Sequence, residues 1–276
     1  MTLSIITINR NNAPGLEKTM RSVLAQSFRD FEYVVIDGAS TDGSVEVIKG
    51  LEPQFGGRLK WVSEPDSGIY NAMNKGIRIS SGDYIQILNS GDVLASDTVT
   101  ERMLAAAKDA GNPGIFYGNM IKKFPDGRII KDYCKGGKEE WTMYDFIRGT
   151  VNHDPTYIRK DLYEKYGLYD ENLRIVSDWK WFTNAVVFNG EKPVHTPIDV
   201  TIFDMTGISE ANLASREEER DKELGKMLPA AVLRDYRKYY SDIDMTKRLH
   251  RHPLFYKIVW FIERVLFKIE KFKANA

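Results

Sequence analysis

Four short β-branched runs, separated by helical or turn-forming stretches, dominate the first hundred residues and leave such a chain few ways to fold. LSIITI (3–8), EYVVID (32–37), LKWV (59–62) and DYIQIL (83–88) read as strands. After the first, Asn11-Asn12-Ala13-Pro14 offers N-cap chemistry and a helix start, and Leu16, Met20, Val23 and Leu24 follow at helical spacing. GASTDGS breaks the second run before a short helix carrying Val45 and Ile48. Asp66-Ser67 can cap a further helix with Ile69, Ala72, Met73 and Ile77 along one side. Strands alternating with helices predict an α/β fold with a mostly parallel sheet, and such sheets bind ligands at the carboxyl ends of their strands. Those ends are Asn9-Arg10, Asp37, Glu64–Gly68 and Asn89–Asp92, where polar residues and glycine gather.

Beyond residue 112 the pattern changes. GIFYGN and MIKKF-PDG-RIIKDY read as a strand and a hairpin. Helical stretches near 142–148, 160–166 and 178–189 surround a further strand, PTYIRK. The charge run REEERDKE (216–223) reads as a solvated helix face, and no clean linker precedes residue 205 or so. In HPLFYKIVWFIERVLFKIEKFK (252–273), Leu254, Ile258, Phe261, Ile262, Val265, Ile269 and Phe272 recur at helical spacing, with Lys257, Arg264, Lys268 and Lys271 on another face. Residues 248–276 hold seven Lys or Arg against two Glu. This helix can lie in a bilayer interface, or pack its apolar face on the domain or on a second subunit.

A length of 276 residues allows one large α/β domain, alone or with appendages. Lys plus Arg and Asp plus Glu both number 39, so no global field draws nucleic acid. The lone cysteine, Cys134, makes no intrachain disulfide, which fits a reducing compartment. The N-terminus lacks the basic start of a signal peptide, and no apolar run is long enough to span a bilayer. A cytoplasmic protein is expected, peripheral on the inner face of the membrane if the tail binds there.

Two phosphate cradles are absent: no G-x-G-x-x-G follows the first strand, and no G-x-x-x-x-G-K-[ST] occurs anywhere. Five other stretches, in order, are SIITINRN, VVIDGASTDGS, EPDSGIYNAMNKGIRISSGDYIQILNSGD, HDPTYIRKDLYEKYGLYDENLRIVSDWKW and TGIS (206–209). Together they resemble the inverting glycosyltransferases of family 2, of the bacterial surface-polysaccharide type, which have the GT-A fold. The resemblance covers about residues 3–209. It implies a GT-A domain over 1–209, with a nucleotide-binding half at about 1–95 and an acceptor half at about 112–209. Residues 210–276 are then a helical extension.

The resemblance also implies roles. A nucleoside-diphosphate sugar would lie along Thr7, Asn9, Arg10, Asp37, Asp66, Gly68, Asn71, Asn89, Ser90 and Gly91, with Asp37 bonding the base. Asp92 falls on the metal-binding acid and Asp178, in SDW, on the general base. His153, Trp179 and Trp181 fall on the acceptor side, and the acceptor would be a glycan or lipid-linked sugar. The family's usual L-D-x-D-D departs here to LNSGD, leaving Asp92 alone. One carboxylate, two phosphates and water still suffice for Mn²⁺ or Mg²⁺. The competing reading is a metal-free site in which cationic side chains neutralise the diphosphate. Asp178 could instead be part of a helix cap, and Tyr70, Tyr117 and Tyr157 read as packing residues. His195 reads as a strand residue that could also serve as a metal ligand. A nucleotide-sugar pyrophosphorylase and a non-catalytic nucleotide-binding relative are the other classes. The first would want a glycine-rich loop after the first strand, which INRNN lacks.

Overall fold

The computed structural model describes residues 2–124, 126–132, 140–204 and 213–274. Pro125, Cys134 and the TGIS stretch lie outside these. The chain forms two compact units, Met1–Asp221 and Lys222–Ala276.

In the first unit, β1 (Leu3–Asn9), β2 (Phe31–Asp37), β3 (Leu59–Ser63) and β4 (Tyr84–Ile87) alternate with α1 (Ala13–Leu24), α2 (Ser44–Leu51) and α3 (Ile69–Ile79). Then come β5 (Val93–Leu94), α4 (Val99–Asp109), β6 (Ile115–Lys123), β7 (Ile129–Asp132) and α5 (Met143–Arg148). β8 (Thr156–Arg159), α6 (Asp161–Tyr166), α7 (Ser177–Phe182) with a π-helical continuation to Phe188, and β9 (Val194–Asp204) complete the sheet and its cover. Among the described residues the strand order is β3-β2-β1-β4-β8-β6-β9-β5, with β7 beside β6. β3, β2, β1 and β4 run parallel, and β8 joins antiparallel between β4 and β6.

The parallel strands are apolar because helices cover both faces, so β1 is buried along its whole length. Leu16, Met20 and Val23 of α1 meet β1 and β2 residues such as Ile5 and Val35 in the main core. Asn12 caps α1 as its sequence predicts, its Oδ1 accepting from the Gly15 N–H at 3.2 Å. On α3 the buried face is Tyr70, Ala72, Met73, Asn74, Gly76 and Ile77. Ile69, expected on that face, is exposed at the helix start. The register pairs Asn9 with Asp37 and Asp37 with Ser63, so three strands end on one polar edge.

α8 (Leu213–Met227) crosses from the first unit into the second, which continues with α9 (Ala230–His250) and α10 (Pro253–Ala274). No helix among the described residues is long and apolar enough to cross a membrane.

Candidate active site

Asp37 is fully buried where β2 ends. Its carboxylate accepts from Asn9 Nδ2 (2.9 Å), Ser40 Oγ (2.6 Å), the Ser40 N–H (2.9 Å) and Ser63 Oγ (2.7 Å). Burial opposes its charge, yet the serine, backbone and Asn9 donors outweigh it and hold the pKa below the usual carboxylate value. Four donors fill the lone-pair positions a carboxylate offers. Asp37 therefore organises the strand ends, and a base reaches it only where one of these donors turns away. Asn9 extends the network, its Oδ1 accepting from Ser90 Oγ at 2.8 Å. Above Gly38, Asp66 comes so close that a Cβ on the glycine would lie 2.2 Å from Asp66 Oδ2. Asp66 Oδ1 accepts from the Gly68 N–H at 3.0 Å and faces the exposed Arg10 guanidinium at 3.7 Å.

The NSGD turn is held from α1. Thr19 Oγ1 donates to Asp92 O at 2.7 Å and accepts from the Gly91 N–H at 2.9 Å. Lys18 Nζ bonds Gly91 O and Asn12 Nδ2 bonds Ser90 O. Gly91 has φ +111°, which an L side chain rarely adopts, so the turn requires glycine there. The Asp92 side chain is thereby turned inward and buried, hydrogen-bonded to the carboxyl of buried Asp154. Two carboxyls bond one another only with a proton between them. Burial raises the Asp154 pKa while His153 and the Asp92 hydrogen bond pull it back, so the two carboxyls share one proton.

His153 connects this pair to Asp178. Its Nε2 lies 3.4 Å from Asp154 Oδ1 and 3.0 Å from Asn89 Nδ2, and its Nδ1 lies 3.1 Å from Asp178 Oδ2. Burial alone would discharge the ring, but Asp154, Asp178 and Asp92 overcome it and lift the pKa to about 9. His153 is therefore a cation at neutral pH. The other Asp178 oxygen, Oδ1, accepts from Tyr70 OH at 3.0 Å. Burial raises the Asp178 pKa, but His153, the Trp179 N–H and Tyr70 outweigh it and hold the group ionised below the usual value. Val176 holds the N-cap position of α7, and Asp178 sits in the first turn with its carboxylate accepting from the Trp179 N–H.

Asn9 and Ser90 thus form one bonded cluster with Asp37, and Asn89, Asp92, His153 and Asp178 form a second with Asp154, the backbone of the NSGD turn running between them. Asp66, Gly68 and Arg10 lie at the β2 edge, and Asn71 bonds Glu171 through Nδ2 at 2.6 Å. Three expectations are corrected. Thr7 does not border an open pocket: it is buried in mid-strand and accepts from Tyr33 OH at 2.9 Å. Trp179 and Trp181 are not an acceptor wall. Both indoles are buried, donating to Phe146 O and Gly167 O, because their helix turns them into the core. Among residues the sequence reading missed, Asp154 stood beside His153 in NHDP and Tyr70 was taken for packing. Thr19 and Ser63 carried no local signal.

The family model for glycosyl transferase family 2 matches residues 4–167, which carry the donor edge, the NSGD turn and His153. The chain belongs to glycosyl transferase family 2. An uncharacterised glycosyltransferase of Mycobacterium tuberculosis is 33% identical over 210 residues, covering 75% of this chain and 76% of the relative. A PGL/p-HBAD biosynthesis glycosyltransferase of Mycobacterium bovis is 28% identical over 176 residues, covering 64% and 66%. Among solved structures, the mannosyltransferase PcManGT from Pyrobaculum calidifontis in complex with GDP-Man and Mn²⁺ superposes with a TM-score of 0.64. At 17% identity it covers 82% of this chain and 63% of that one. S. aureus TarS 1–349 in complex with UDP-GlcNAc gives 0.63 at 18% identity, covering 77% and 61%. Against another S. aureus TarS structure, the chain covers 37% of that chain's length. The shared fold is GT-A, and the chain is a transferase.

Proposed function

We propose that this glycosyltransferase moves a sugar from a nucleoside diphosphate to an acceptor hydroxyl with inversion at the anomeric carbon. The observation that carries the reading is Asp178: an ionised, partly buried carboxylate fixed at both oxygens and joined through His153 to Asp154. Donor-bound structures of the fold, with UDP-GlcNAc or GDP-Man, support a nucleotide-sugar donor. The donor would lie along the carboxyl edge, over Asn9, Asp37, Asp66–Gly68 and Asn89–Gly91.

A divalent cation fits the residues present. The carboxyls of Asp92 and Asp154 are hard oxygen donors side by side, with the Asn89 amide next to them. No group of three or more His, Cys, Asp or Glu among the described residues forms a ready cage. Asp92, with Asp154 beside it, would hold Mn²⁺ or Mg²⁺ only together with diphosphate oxygens and water. When bound, the ion supplies Lewis-acid stabilisation of the leaving diphosphate. The protein's own part is the proton: Asp178 takes it from the acceptor hydroxyl as the new C–O bond forms, help worth about 10²–10⁴-fold in rate. With one base and no covalent intermediate, the configuration inverts. The family consists of sugar transferases, which sets a pyrophosphorylase aside.

A lipid-linked acceptor at a membrane surface is the corresponding reading of α10, whose Leu254, Phe261 and Phe267 are exposed beside a lysine-rich flank. The test of the donor is a thermal-shift panel of uridine, guanosine and thymidine diphosphates, each with Mn²⁺ and with chelator. At about 100 times Kd a ligand contributes roughly 2.7 kcal/mol. One diphosphate is expected to stabilise the protein, and stabilisation by none overturns the donor reading. Asp178→Asn is expected to keep that stabilisation and lose transfer; retained transfer removes the base assignment.

A further inference from the structure

Asp178 lies on the acceptor side of the sheet, yet its Oδ1 is held by a residue from the donor side. Tyr70 is 108 positions earlier in sequence, in the first turn of α3. Its ring is buried against Tyr169, 5.7 Å away between centroids, and only the hydroxyl reaches the carboxylate. The same helix is stitched to the loop that leads to the base. Asn71 and Asn74 donate to the two Glu171 oxygens at 2.6 and 2.8 Å. Asn74 also donates to Tyr169 O at 2.9 Å and accepts from the Tyr169 N–H at 3.0 Å. The Asp170 N–H then bonds Ser177 Oγ at 2.6 Å, one residue before Asp178. α3 starts directly from Asp66–Gly68, so Tyr70 stands in the turn that follows that loop.

We propose that Tyr70 is the positioning residue of the general base: its hydroxyl, carried on the helix that springs from the donor loop, fixes the Asp178 carboxylate for the acceptor proton. The inference rests on the reading of Asp178 as that base. In the step served, the acceptor O–H proton passes to Asp178 and the acceptor oxygen bonds the anomeric carbon. The bond from that carbon to phosphate oxygen breaks, its electron pair leaving with the diphosphate. Tyr70 exchanges no proton. Burial, the Asp178 charge and the hydrogen bond to it push the phenol well above its ordinary value, so it remains a donor throughout. Oδ2 is tied to His153 and the Trp179 N–H bonds the same carboxylate, while Tyr70 is the side chain that holds Oδ1. Without Tyr70 that oxygen loses its side-chain anchor, and misplacement of a reacting group by about 1 Å costs on the order of 10²-fold in rate.

The experiment compares the full chain with Tyr70→Phe and Asp178→Asn. Turnover is read as nucleoside diphosphate released from UDP-GlcNAc or GDP-mannose with water as acceptor. The carboxyl titration of Asp178 is read by ¹³C NMR, its resonance identified by its loss in Asp178→Asn. The groups facing Asp178 are Tyr70, His153, Asp154, Tyr163, Tyr169 and Arg220, of which only the first changes. Tyr70→Phe is expected to lower turnover roughly ten- to hundred-fold, leave nucleotide affinity within about two-fold, and move the Asp178 titration upward, since a donor to the charged form has gone. Lost packing alone would lower the melting midpoint without moving that titration. Where Tyr70→Phe folds poorly, 3-fluorotyrosine at this position keeps the ring and strengthens the donor, so the titration should move downward. Asp178→Asn with wild-type turnover defeats the base reading itself. Turnover lost in Asp178→Asn but unchanged in Tyr70→Phe overturns the positioning role and leaves the base standing.

Discussion

At Asp37, four hydrogen bonds meet a single fully buried carboxylate, and replacing one oxygen shows what the group does. Asp37→Asn keeps the shape but turns an acceptor into a donor facing Ser40 and Ser63. Leaving such buried groups mismatched costs about 1–3 kcal/mol, which a urea melt near neutral pH would register. The folded pKa of Asp37 is depressed, so its stabilisation is present above the unfolded value of 3.8 and disappears as pH falls through the folded one. The variant's midpoint should therefore change less than the wild type's between about pH 5 and about pH 2. A drop as steep as the wild type's would show that Asp37 carries no linkage. At the NSGD turn, Asp92→Asn is expected to abolish the extra stabilisation that Mn²⁺ adds to a bound nucleotide; an unchanged Mn²⁺ increment assigns the ion elsewhere. Asn9 and Asp92 were legible as polar residues at strand ends, and Asp178 only through the family resemblance; their roles are the proposals made above. The sequence hid Tyr70, Thr19 and Asp154, whose partners lie 108, 73 and about sixty positions away and leave no trace in local spacing.

At the scale of elements, the run REEERDKE most repays comparison with its sequence. Alternating charge suggested a solvated face, and part of α8 is one. Glu219, however, accepts from the backbone N–H groups of Arg174, Ile175 and Val176 at 2.7, 2.8 and 3.1 Å. The buried Arg220 lays its guanidinium 5.4 Å from the Trp179 ring centroid. α7 begins immediately after those three amides, so a carboxylate from another helix closes the turn that leads into it and holds the N-cap amide of Val176. Periodicity identifies a charged face but not the helix end it meets. Glu219→Gln retains one acceptor oxygen and is expected to cost about 1–2 kcal/mol, with transfer falling further because Asp178 sits in the first turn of α7. Calorimetry and turnover on the same samples test this, and a variant as stable and active as wild type removes the cap from the account. The strands were legible for the opposite reason: β1 and β2 are buried along nearly all their length, and their apolar runs say so.

For the whole molecule, sequence patterning indicated strands alternating with helices around a mostly parallel sheet, and the family resemblance added the GT-A fold, but neither showed that α3 would be fastened to the 169–178 segment. The tail remains a separate question. Along α10, Leu254, Phe255, Phe261 and Phe267 are more than half exposed, while Lys257, Arg264, Lys268 and Lys271 gather on one flank. Such a helix favours an anionic bilayer interface. Full-length protein should float with vesicles containing anionic phospholipid while residues 1–246 stay behind, and high salt should weaken the effect. Equal flotation of the two would assign the apolar face to protein contacts. The fastening of α3 to the 169–178 segment has a practical consequence for anyone recombining such enzymes. A chimera whose breakpoints fall between residues 80 and 168 inherits Tyr70, Asn71 and Asn74 from one parent and Tyr169, Glu171 and Asp178 from the other. Crossovers that move both segments together should yield active hybrids more often than crossovers that part them, even where each parent's segment is intact.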